Sequence, residues 1–286
     1  MKFYDKIKGN FGFGCMRLPT CSDGKVDRER TAAMFDAYLA AGLNYFDTAK
    51  NYIGGDSELV LRDCLTSRYP REAYVLTDKL SPSFFEKAED LPELFETQLK
   101  SCGVEYFDIY LMHAQSRNNY PKYKETGAYQ FANEMKRQGK IKKIGMSFHD
   151  TADILDMILT ENPFLDVVQL QFNCIDYEDE NNQGRLCYEV AKKHGKPVIV
   201  MEPLRGGAIL NMPERAKALF DTLKDGSPVS YAMRFAASFD NVCMVLSGMS
   251  TLEIVEENVA YMKDFVPLTE DEKEILLKVG ELIRTE

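Results

Sequence analysis

The stretch Pro197-Val198-Ile199-Val200-Met201 carries no charged side chain, and Val242-Cys243-Met244-Val245-Leu246 repeats this composition closer to the C-terminus. A strand covered on one face alternates apolar and polar residues, whereas a strand covered on both faces of a parallel sheet is apolar almost throughout. Amphipathic segments of helical spacing separate such runs, and most intervals measure about thirty residues, the length of a strand, a helix and two loops. The predicted strands end near Arg17, Asp47, Lys79, His113, Ser147, Gln171, Met201 and Ser247.

Eight strand–helix units of this length account for nearly all of the 286 residues. A doubly wound dinucleotide-binding sheet is disfavoured, because Gly12-Phe13-Gly14-Cys15 is not followed by a glycine at the required spacing, nor directly by a helix. We therefore predict an α/β fold of the (β/α)8 TIM-barrel type. No linker rich in proline, glycine or serine divides the chain, so a single domain over 1–286 is expected.

Three helices are predicted from local signals. Apolar residues recur on one face of 28–41 and of 57–66, and Thr251 suits the N-cap of a later helix. A further amphipathic segment covers about 268–286, where Thr269 and Glu272 match a capping box. We predict that this segment is an additional C-terminal helix that covers the barrel.

The bulk composition limits the classes of partner. Hydrophobic residues make up 45% and charged residues 28% of the chain, as in ordinary globular proteins, and the net charge of −10 disfavours nucleic acid. The first residues contain no apolar run of a signal peptide, and no run is long enough for a membrane span. The seven cysteines are scattered and odd in number, which favours free thiols in a cytoplasmic protein over disulfides or a cysteine metal site.

Four polar residues stand at or just beyond predicted strand ends: Asp47, Tyr52, Lys79 and His113. If these strands are parallel neighbours, an acid, a phenol, a cation and an imidazole meet at one mouth of the sheet. The ammonium of a lysine stabilises a nearby phenolate, and we expect it to lower the phenol pKa. Such a phenol suits protonation of a carbonyl oxygen as hydride reaches the carbon.

Further functions remain open from the residues alone. Asp47, His113, His149 and Glu202 could together bind a divalent metal for hydrolysis or isomerisation. The ammonium of Lys79 argues against a metal site, since it would lie where the metal should go, and no metal is predicted. The same residues are also compatible with a redox-neutral epimerase that retains NAD(P) and with a non-catalytic sensor of nicotinamide nucleotides.

Over nearly its full length the chain resembles the aldo-keto reductases, through segments that agree in order and spacing. These segments are Phe11-Gly-Phe-Gly-Cys-Met-Arg-Leu-Pro19, Asn44-Tyr-Phe-Asp-Thr-Ala-Lys-Asn-Tyr52, Gly54-Gly-Asp-Ser-Glu58, Leu76-Thr-Asp-Lys79, Tyr110-Leu-Met-His113, Gly145-Met-Ser-Phe-His149, Gln171-Phe-Asn173, Met201-Glu-Pro-Leu-Arg-Gly-Gly207, and Ser247-Gly-Met-Ser-Thr251 with Glu257-Asn258. The resemblance implies a (β/α)8 barrel that exchanges hydride between NAD(P)H and a carbonyl or alcohol. Within the family, the chain is most similar to bacterial members that often continue into an iron–sulfur domain; this sequence lacks the cysteine cluster, so no iron–sulfur cluster is expected.

The resemblance also implies roles for individual residues. Tyr52 would be the general acid, Lys79 would tune it, Asp47 would pair with Lys79, and His113 would orient the substrate oxygen. The implied cofactor-binding residues are Gly14, Cys15 and Met16; Ser147 and Gln171 for the carboxamide; Pro203, Leu204, Arg205, Gly206 and Gly207 along the pyrophosphate; Ser247, Gly248, Met249, Ser250 and Thr251 at the adenosine ribose; and Glu257 and Asn258 near the adenine.

Departures from the family pattern refine these expectations. Phe148 stands where many members have an asparagine after the carboxamide-binding serine. No lysine or arginine occurs in 248–254 to meet a 2′-phosphate, so NAD is favoured over NADP. His149 is assigned to the substrate pocket by its loop position. Arg17 is interpreted as a buried ion-pair partner of Asp47 or Glu202.

Polar and aromatic residues in the loops after the strands suit a sugar-like carbonyl or alcohol as substrate. The oligomeric state is not predicted.

Overall fold

A computed structural model describes residues 4–224 and 226–286 of the chain. Residues 1–3 lie outside the described part; they belong to the N-terminal segment that lacks the apolar run of a signal peptide. In the described part, eight parallel strands close a barrel in sequence order, which confirms the predicted fold. The strands are β1 Phe11–Gly14, β2 Tyr45–Asp47, β3 Val75–Leu80, β4 Phe107–Gln115, β5 Ile141–Phe148, β6 Val167–Gln171, β7 Val198–Met201 and β8 Val242–Gly248.

Helices surround the barrel and supply the crossover connections that parallel strands require. Within the described residues they are α1 Arg28–Ala40, α2 Ser57–Leu61, α3 Asp90–Cys102, α4 Tyr120–Glu125, α5 Ala128–Arg137, α6 Ala152–Glu161, α7 Gly184–Lys193, α8 Glu214–Phe220, α9 Pro228–Ala237, α10 Leu252–Met262 and α11 Glu270–Thr285. The helix predicted at 57–66 is α2 followed by one π-helical turn, Arg62–Thr66. The extra C-terminal helix is confirmed as α11, whereas the extent of the domain over 1–286 stays a prediction.

The predicted helix starts are set by side chains that satisfy free backbone N–H groups. Asp27 accepts from the N–H of Arg30 at the start of α1, and Thr251 accepts from Ile254 at the start of α10. Thr269 and Glu272 form the predicted capping box at the start of α11. These contacts confirm the helix-start signals at Thr251 and Thr269.

The barrel strands are covered on both faces, as their apolar composition predicts. One buried cluster fills the barrel interior and includes Tyr45, Val75, Ile109, Leu111 and Ile199. A larger cluster lies between the strands and the helices. Within residues 4–224 and 226–286, no helix combines the length and the hydrophobicity of a bilayer span.

Candidate active site

A buried lysine lies at the centre of the predicted site. The Nζ atom of Lys79 donates to Oδ1 of Asp47 at 2.5 Å, to the carbonyl oxygen of Thr48 at 2.8 Å and to the hydroxyl of Tyr52 at 3.3 Å. The Lys79 side chain has no exposed surface, and that of Asp47 is 4% exposed. Buried charges require a partner, and here the two charges are in direct contact. The predicted contacts of Lys79 with Asp47 and Tyr52 are therefore present in the structure.

The barrel topology explains this meeting of residues. Strands β2 and β3 are hydrogen-bonded neighbours, with Asp47 opposite Thr77, so that Lys79 extends beyond the end of β2. Tyr52 begins a short turn, Tyr52–Gly55, in which Ile53 and Gly54 have positive φ angles of 52° and 62°. This turn lies on the loop after β2, beyond residues 48–51, and brings the phenol back over the barrel mouth. Strand register and loop geometry together place the three side chains.

Burial governs the acidity of the phenol. Burial raises the pKa of Tyr52, the Lys79 ammonium lowers it, and the Asp47 carboxylate raises it, with a net upward shift. The expected contribution of Lys79 is thus present, but the expected net lowering is wrong, because loss of hydration outweighs one nearby cation. Burial disfavours the charged form of Lys79 and so lowers its pKa. Asp47 and Tyr52 raise this pKa by a larger amount, so the net shift is upward. At neutral pH the site therefore holds a protonated phenol beside an ammonium.

A bulge at the end of β4 carries His113. Met112 pairs with Met146 and Gln115 with Phe148, so β4 holds one residue more than β5 in this interval. Ala114 takes the extra position with a φ of 53°, and its N–H donates to the Ser147 hydroxyl at 2.8 Å. Bulges of this kind redirect neighbouring side chains. The His113 ring consequently lies beside Tyr52, with ring centroids 6.0 Å apart.

His113 is a neutral imidazole at physiological pH. Burial, then the charges of Lys79 and His149, lower the pKa of His113 to about 3. An unfolded histidine gains its proton near pH 6.5, so the unfolded chain binds this proton before the folded chain does. The contribution of neutral His113 to the free energy of unfolding is therefore fully present above pH 6.5 and is lost as the pH falls towards 3.

We expect acid titration to reveal this linkage. Between pH 7 and pH 4, the free energy of unfolding of the wild type should fall by about 3 kcal/mol more than that of His113→Asn. Urea unfolding at both pH values measures the difference, and the variant serves as the reference for all other groups. A His113 resonance that titrates near pH 6.5 in the folded protein would contradict the prediction.

A cavity of about 440 Å³ opens above these groups at the carboxyl ends of the strands. Most of the predicted site residues are on its wall. From the predicted set, the wall includes Gly14, Met16, Asp47, Tyr52, His113, His149, Pro203, Leu204, Gly206, Gly207, Ser247 and Gly248. The His149 side chain is exposed to this opening. Asp47, Tyr52 and His113 therefore share one cavity with the loops after β7 and β8.

The remaining predicted cofactor residues lie outside this wall. Cys15 and Met249 are fully buried, and Asn258 is nearly so, with its side-chain amide donating to the Ser247 hydroxyl at 3.0 Å. Ser147 is buried and holds the bulge described above. Ser250, Thr251 and Glu257 lie on the surface around the start of α10.

The loop after β7 is fixed by a buried carboxylate. Asp176, with no exposed side-chain surface, accepts from Gln171 Nε2 at 2.7 Å and from Asn173 Nδ2 at 2.8 Å. Its other oxygen pairs with Nε of Arg205 at 3.0 Å. Gln171 and Arg205, which the resemblance assigns to the cofactor, thus make protein contacts in the structure. Arg205 and Glu202 also adopt positive φ angles, 47° and 53°, which need such support.

Some wall residues were not assigned to the cavity by sequence. They are Asn51, Gln169, Met201, Glu202 and Leu246. Gln169 donates from Nε2 to Oδ2 of Asp47 at 3.0 Å and so completes the contacts of that carboxylate. The alternation of strand side chains places Gln169 and Gln171 on the same face of β6. This signal could have identified Gln169, but it does not distinguish Gln169 from Gln171.

Arg17 also lines the cavity. Its guanidinium is 3.8 Å from Oε1 of Glu202, and the two side chains are 56% and 38% exposed. The predicted partner Glu202 is confirmed, but the predicted burial is wrong, because the pair lies across the open mouth between the loops after β1 and β7.

A metal centre finds no support in this geometry. Among the described residues, no group of three or more histidine, cysteine, aspartate or glutamate side chains is arranged to hold a metal ion. All seven cysteines are free thiols. The carboxylate of Asp47 is occupied by Lys79 and Gln169, so it has no free oxygen for a metal.

Fold and site define a barrel enzyme with a buried lysine–aspartate pair set against a phenol. The model of the Aldo/keto reductase family matches residues 10–281, and the chain belongs to this family. It is thus an NAD(P)-dependent oxidoreductase, and a metal-dependent enzyme, an epimerase or a sensor is not favoured.

Two relatives illustrate the range of the family. The chain is 27% identical over 286 aligned positions to the NADH-specific methylglyoxal reductase of Escherichia coli, covering 83% of this chain and 84% of the relative. It is 25% identical over 282 positions to the L-galactose dehydrogenase of Arabidopsis thaliana, covering 92% and 86%. The resemblance to aldo-keto reductases is therefore confirmed over most of the chain.

Solved structures agree with the fold. An aldo-keto reductase from Bacillus halodurans in its holo form superposes with a TM-score of 0.78 at 23% identity, covering 94% of this chain and 91% of that one. An aldo-keto reductase from Klebsiella pneumoniae in complex with NADPH gives a TM-score of 0.75 at 18% identity, with 95% and 91% covered. At these identities the likeness concerns the barrel itself.

Proposed function

We propose that the protein reduces a small carbonyl compound, or oxidises the corresponding alcohol, with Tyr52 as general acid or base. The observation that carries this proposal is the contact chain from Asp47 through Lys79 to the Tyr52 hydroxyl, which ends at the cavity. Complete burial of the charged Lys79 side chain costs folding free energy. A role for Lys79 in catalysis explains why this charge lies buried beside a phenol. The specific reaction is oxidoreduction at a CH–OH group.

The cavity suits a nicotinamide cofactor on two grounds. Gly14, Gly206, Gly207 and Gly248 contribute no side chains to its wall, and an added Cβ at Gly207 would meet nothing within 4 Å. Such open backbone lets a pyrophosphate approach closely. The start of α10 provides the positive end of a helix dipole for the ribose end of the nucleotide. The loop after β7 and the start of α10 would hold the cofactor.

The proton chemistry rests on this chain's own side chains. A reduced nicotinamide, when bound, supplies the hydride. Tyr52 gives its proton to the substrate oxygen, and Lys79 stabilises the phenolate that remains. Asp47 keeps Lys79 in place, and His113 orients the same substrate oxygen. In alcohol oxidation the phenolate takes the proton back.

Three cofactor roles change in light of the contacts. Gln169, on the cavity wall, is proposed to meet the carboxamide in place of Gln171. Ser147 supports the bulge that carries His113, and Arg205 anchors its loop to Asp176. Arg17, at the cavity mouth, is proposed as the cation for the pyrophosphate.

NADH is the proposed cofactor, and we expect it to bind more tightly than NADPH. Glu253 lies exposed in the first turn of α10, where a 2′-phosphate would meet its negative charge, and 248–254 offers no cation. Similarity to a relative named as NADH-specific supports this preference. Fluorescence titration with both nucleotides measures it.

A charge substitution sharpens the cofactor test. Ile254→Arg should strengthen NADPH binding about tenfold, because it offers a charged donor to the extra phosphate. Leu186→Arg places the same charge on α7, away from the cavity, and should leave both affinities unchanged. Tighter NADPH than NADH binding in the wild type would contradict the preference.

The substrate is proposed to be a small, neutral, hydroxylated carbonyl or alcohol, such as a sugar. Asn51, His149 and Glu202 offer hydrogen-bonding groups on the wall, whereas Lys79 already pairs with Asp47. A cytoplasmic location is proposed from the seven free thiols. Oxidation of NADH in the presence of a panel of aldehydes, ketones and sugars tests the activity, and no turnover with any member would count against it.

A further inference from the structure

Ser81 makes a short contact with the ring of His113. The serine hydroxyl lies 2.6 Å from Nδ1 of His113, and Ser81 itself is 1% exposed. Ser81 directly follows β3, two residues beyond Lys79. It does not line the cavity, and its short contact with a cavity residue is the one with His113, since Asn51 lies 3.5 Å away.

The backbone around His113 is held independently of Ser81. Tyr123 donates from its hydroxyl to the His113 carbonyl oxygen at 2.8 Å and to that of Leu80 at 2.6 Å. Asn119 donates to the Ala114 carbonyl at 2.8 Å, and the bulge is closed by the hydroxyl of Ser147. Ser81 can therefore affect the orientation of the His113 ring and which of its two nitrogens carries the proton.

A neutral imidazole carries one N–H, on either Nδ1 or Nε2, and the partner of one nitrogen selects the tautomer. The pKa of His113, lowered to about 3, supports the neutral ring. If Ser81 donates to Nδ1, the ring proton lies on Nε2. In the opposite arrangement Nδ1 donates to Ser81, whose proton must then go to Oδ1 of Asn51 at 3.5 Å. That distance is too long for a good hydrogen bond, so the first arrangement is favoured.

The geometry points to Ser81 as a positioning residue that holds His113 in the Nε2–H tautomer, so that His113 presents a hydrogen-bond donor to the substrate oxygen. This inference rests on the proposed function for its consequence in catalysis, but not for the tautomer itself. Among the described residues Nε2 has no hydrogen-bond partner, which leaves that edge of the ring for the ligand.

NMR of protein with 15N-labelled histidine tests the tautomer without turnover. The chain has three histidines, so the spectrum is simple, and His113→Gln assigns the His113 signals. We expect the proton on Nε2 in the wild type at neutral pH. A proton on Nδ1 overturns the inference, whatever the enzyme's activity.

Two variants test the cause. Ser81→Ala should give a mixture of both tautomers and lower kcat about tenfold, with KM for the nucleotide unchanged. Ser81→Thr keeps the hydroxyl and should restore both the Nε2–H signal and most of the rate. Asn51→Ala should leave the tautomer as in the wild type. An unchanged His113 spectrum in Ser81→Ala, or an altered one in Asn51→Ala, overturns the assignment to Ser81, whereas a wild-type rate in Tyr52→Phe bears on the proposed function instead.

Discussion

Replacing Tyr52 by phenylalanine is expected to abolish turnover while leaving cofactor affinity intact. The substitution removes one oxygen atom, which is the atom that lies 3.3 Å from Lys79 and faces the cavity. A positioned general acid contributes about 100- to 10,000-fold to a rate, so kcat should fall by that range. Steady-state assays with the preferred carbonyl and fluorescence titration with NADH measure the two quantities separately.

Tyr69→Phe is the matched control for this variant. Tyr69 also loses a hydroxyl with a charged partner, since it donates to Asp36 at 2.6 Å, but it lies outside the cavity wall. Its rate should equal that of the wild type. Wild-type rates in Tyr52→Phe would remove the phenol from the mechanism, and a loss of NADH binding in that variant would show a structural rather than a chemical role.

The sequence was sufficient for the barrel because one physical signal repeats along it. Apolar strands spaced by amphipathic helices admit few arrangements, and a parallel sheet places all strand carboxyl ends at one mouth. Asp47, Lys79 and His113 could therefore be brought together from their positions at strand ends. Tyr52 could be expected near the same mouth because it lies on the loop after β2. The positive φ angles of Ile53 and Gly54, which shape that loop, are not predictable from strand periodicity.

For the remaining site residues, the sequence offers side chains of the same type at similar positions and does not show which of them lines the cavity. Gln169 and Gln171 lie on the same face of β6, and only their partners, Asp47 and Asp176, distinguish them. Ser147 supports a bulge that adds one residue to β4, and an added residue leaves no trace in an apolar pattern. The sequence identifies the charged neighbours of Tyr52 but not the depth of its burial, and burial makes the largest contribution to its raised pKa.

Lys79→Met should also abolish turnover, although the phenol itself is unchanged. Without the ammonium, the phenolate at Tyr52 loses a stabilising interaction of about 4 kcal/mol, which is on the order of a thousandfold in rate. The pKa of Tyr52 rises further in this variant, since burial and Asp47 both raise it and nothing opposes them. Single-turnover rates with saturating NADH measure the chemical step.

This variant also leaves the Asp47 carboxylate buried with Gln169 as its remaining side-chain partner, which should cost about 3–5 kcal/mol of folding stability. The double variant Asp47→Asn/Lys79→Met removes the unpaired charge and should recover most of that stability, but not the rate. Lys217→Met breaks an exposed ion pair with Asp221 and serves as a control that should alter neither quantity strongly. If the stabilised double variant turned over at the wild-type rate, Lys79 would act through folding alone and would have no part in the acidity of Tyr52.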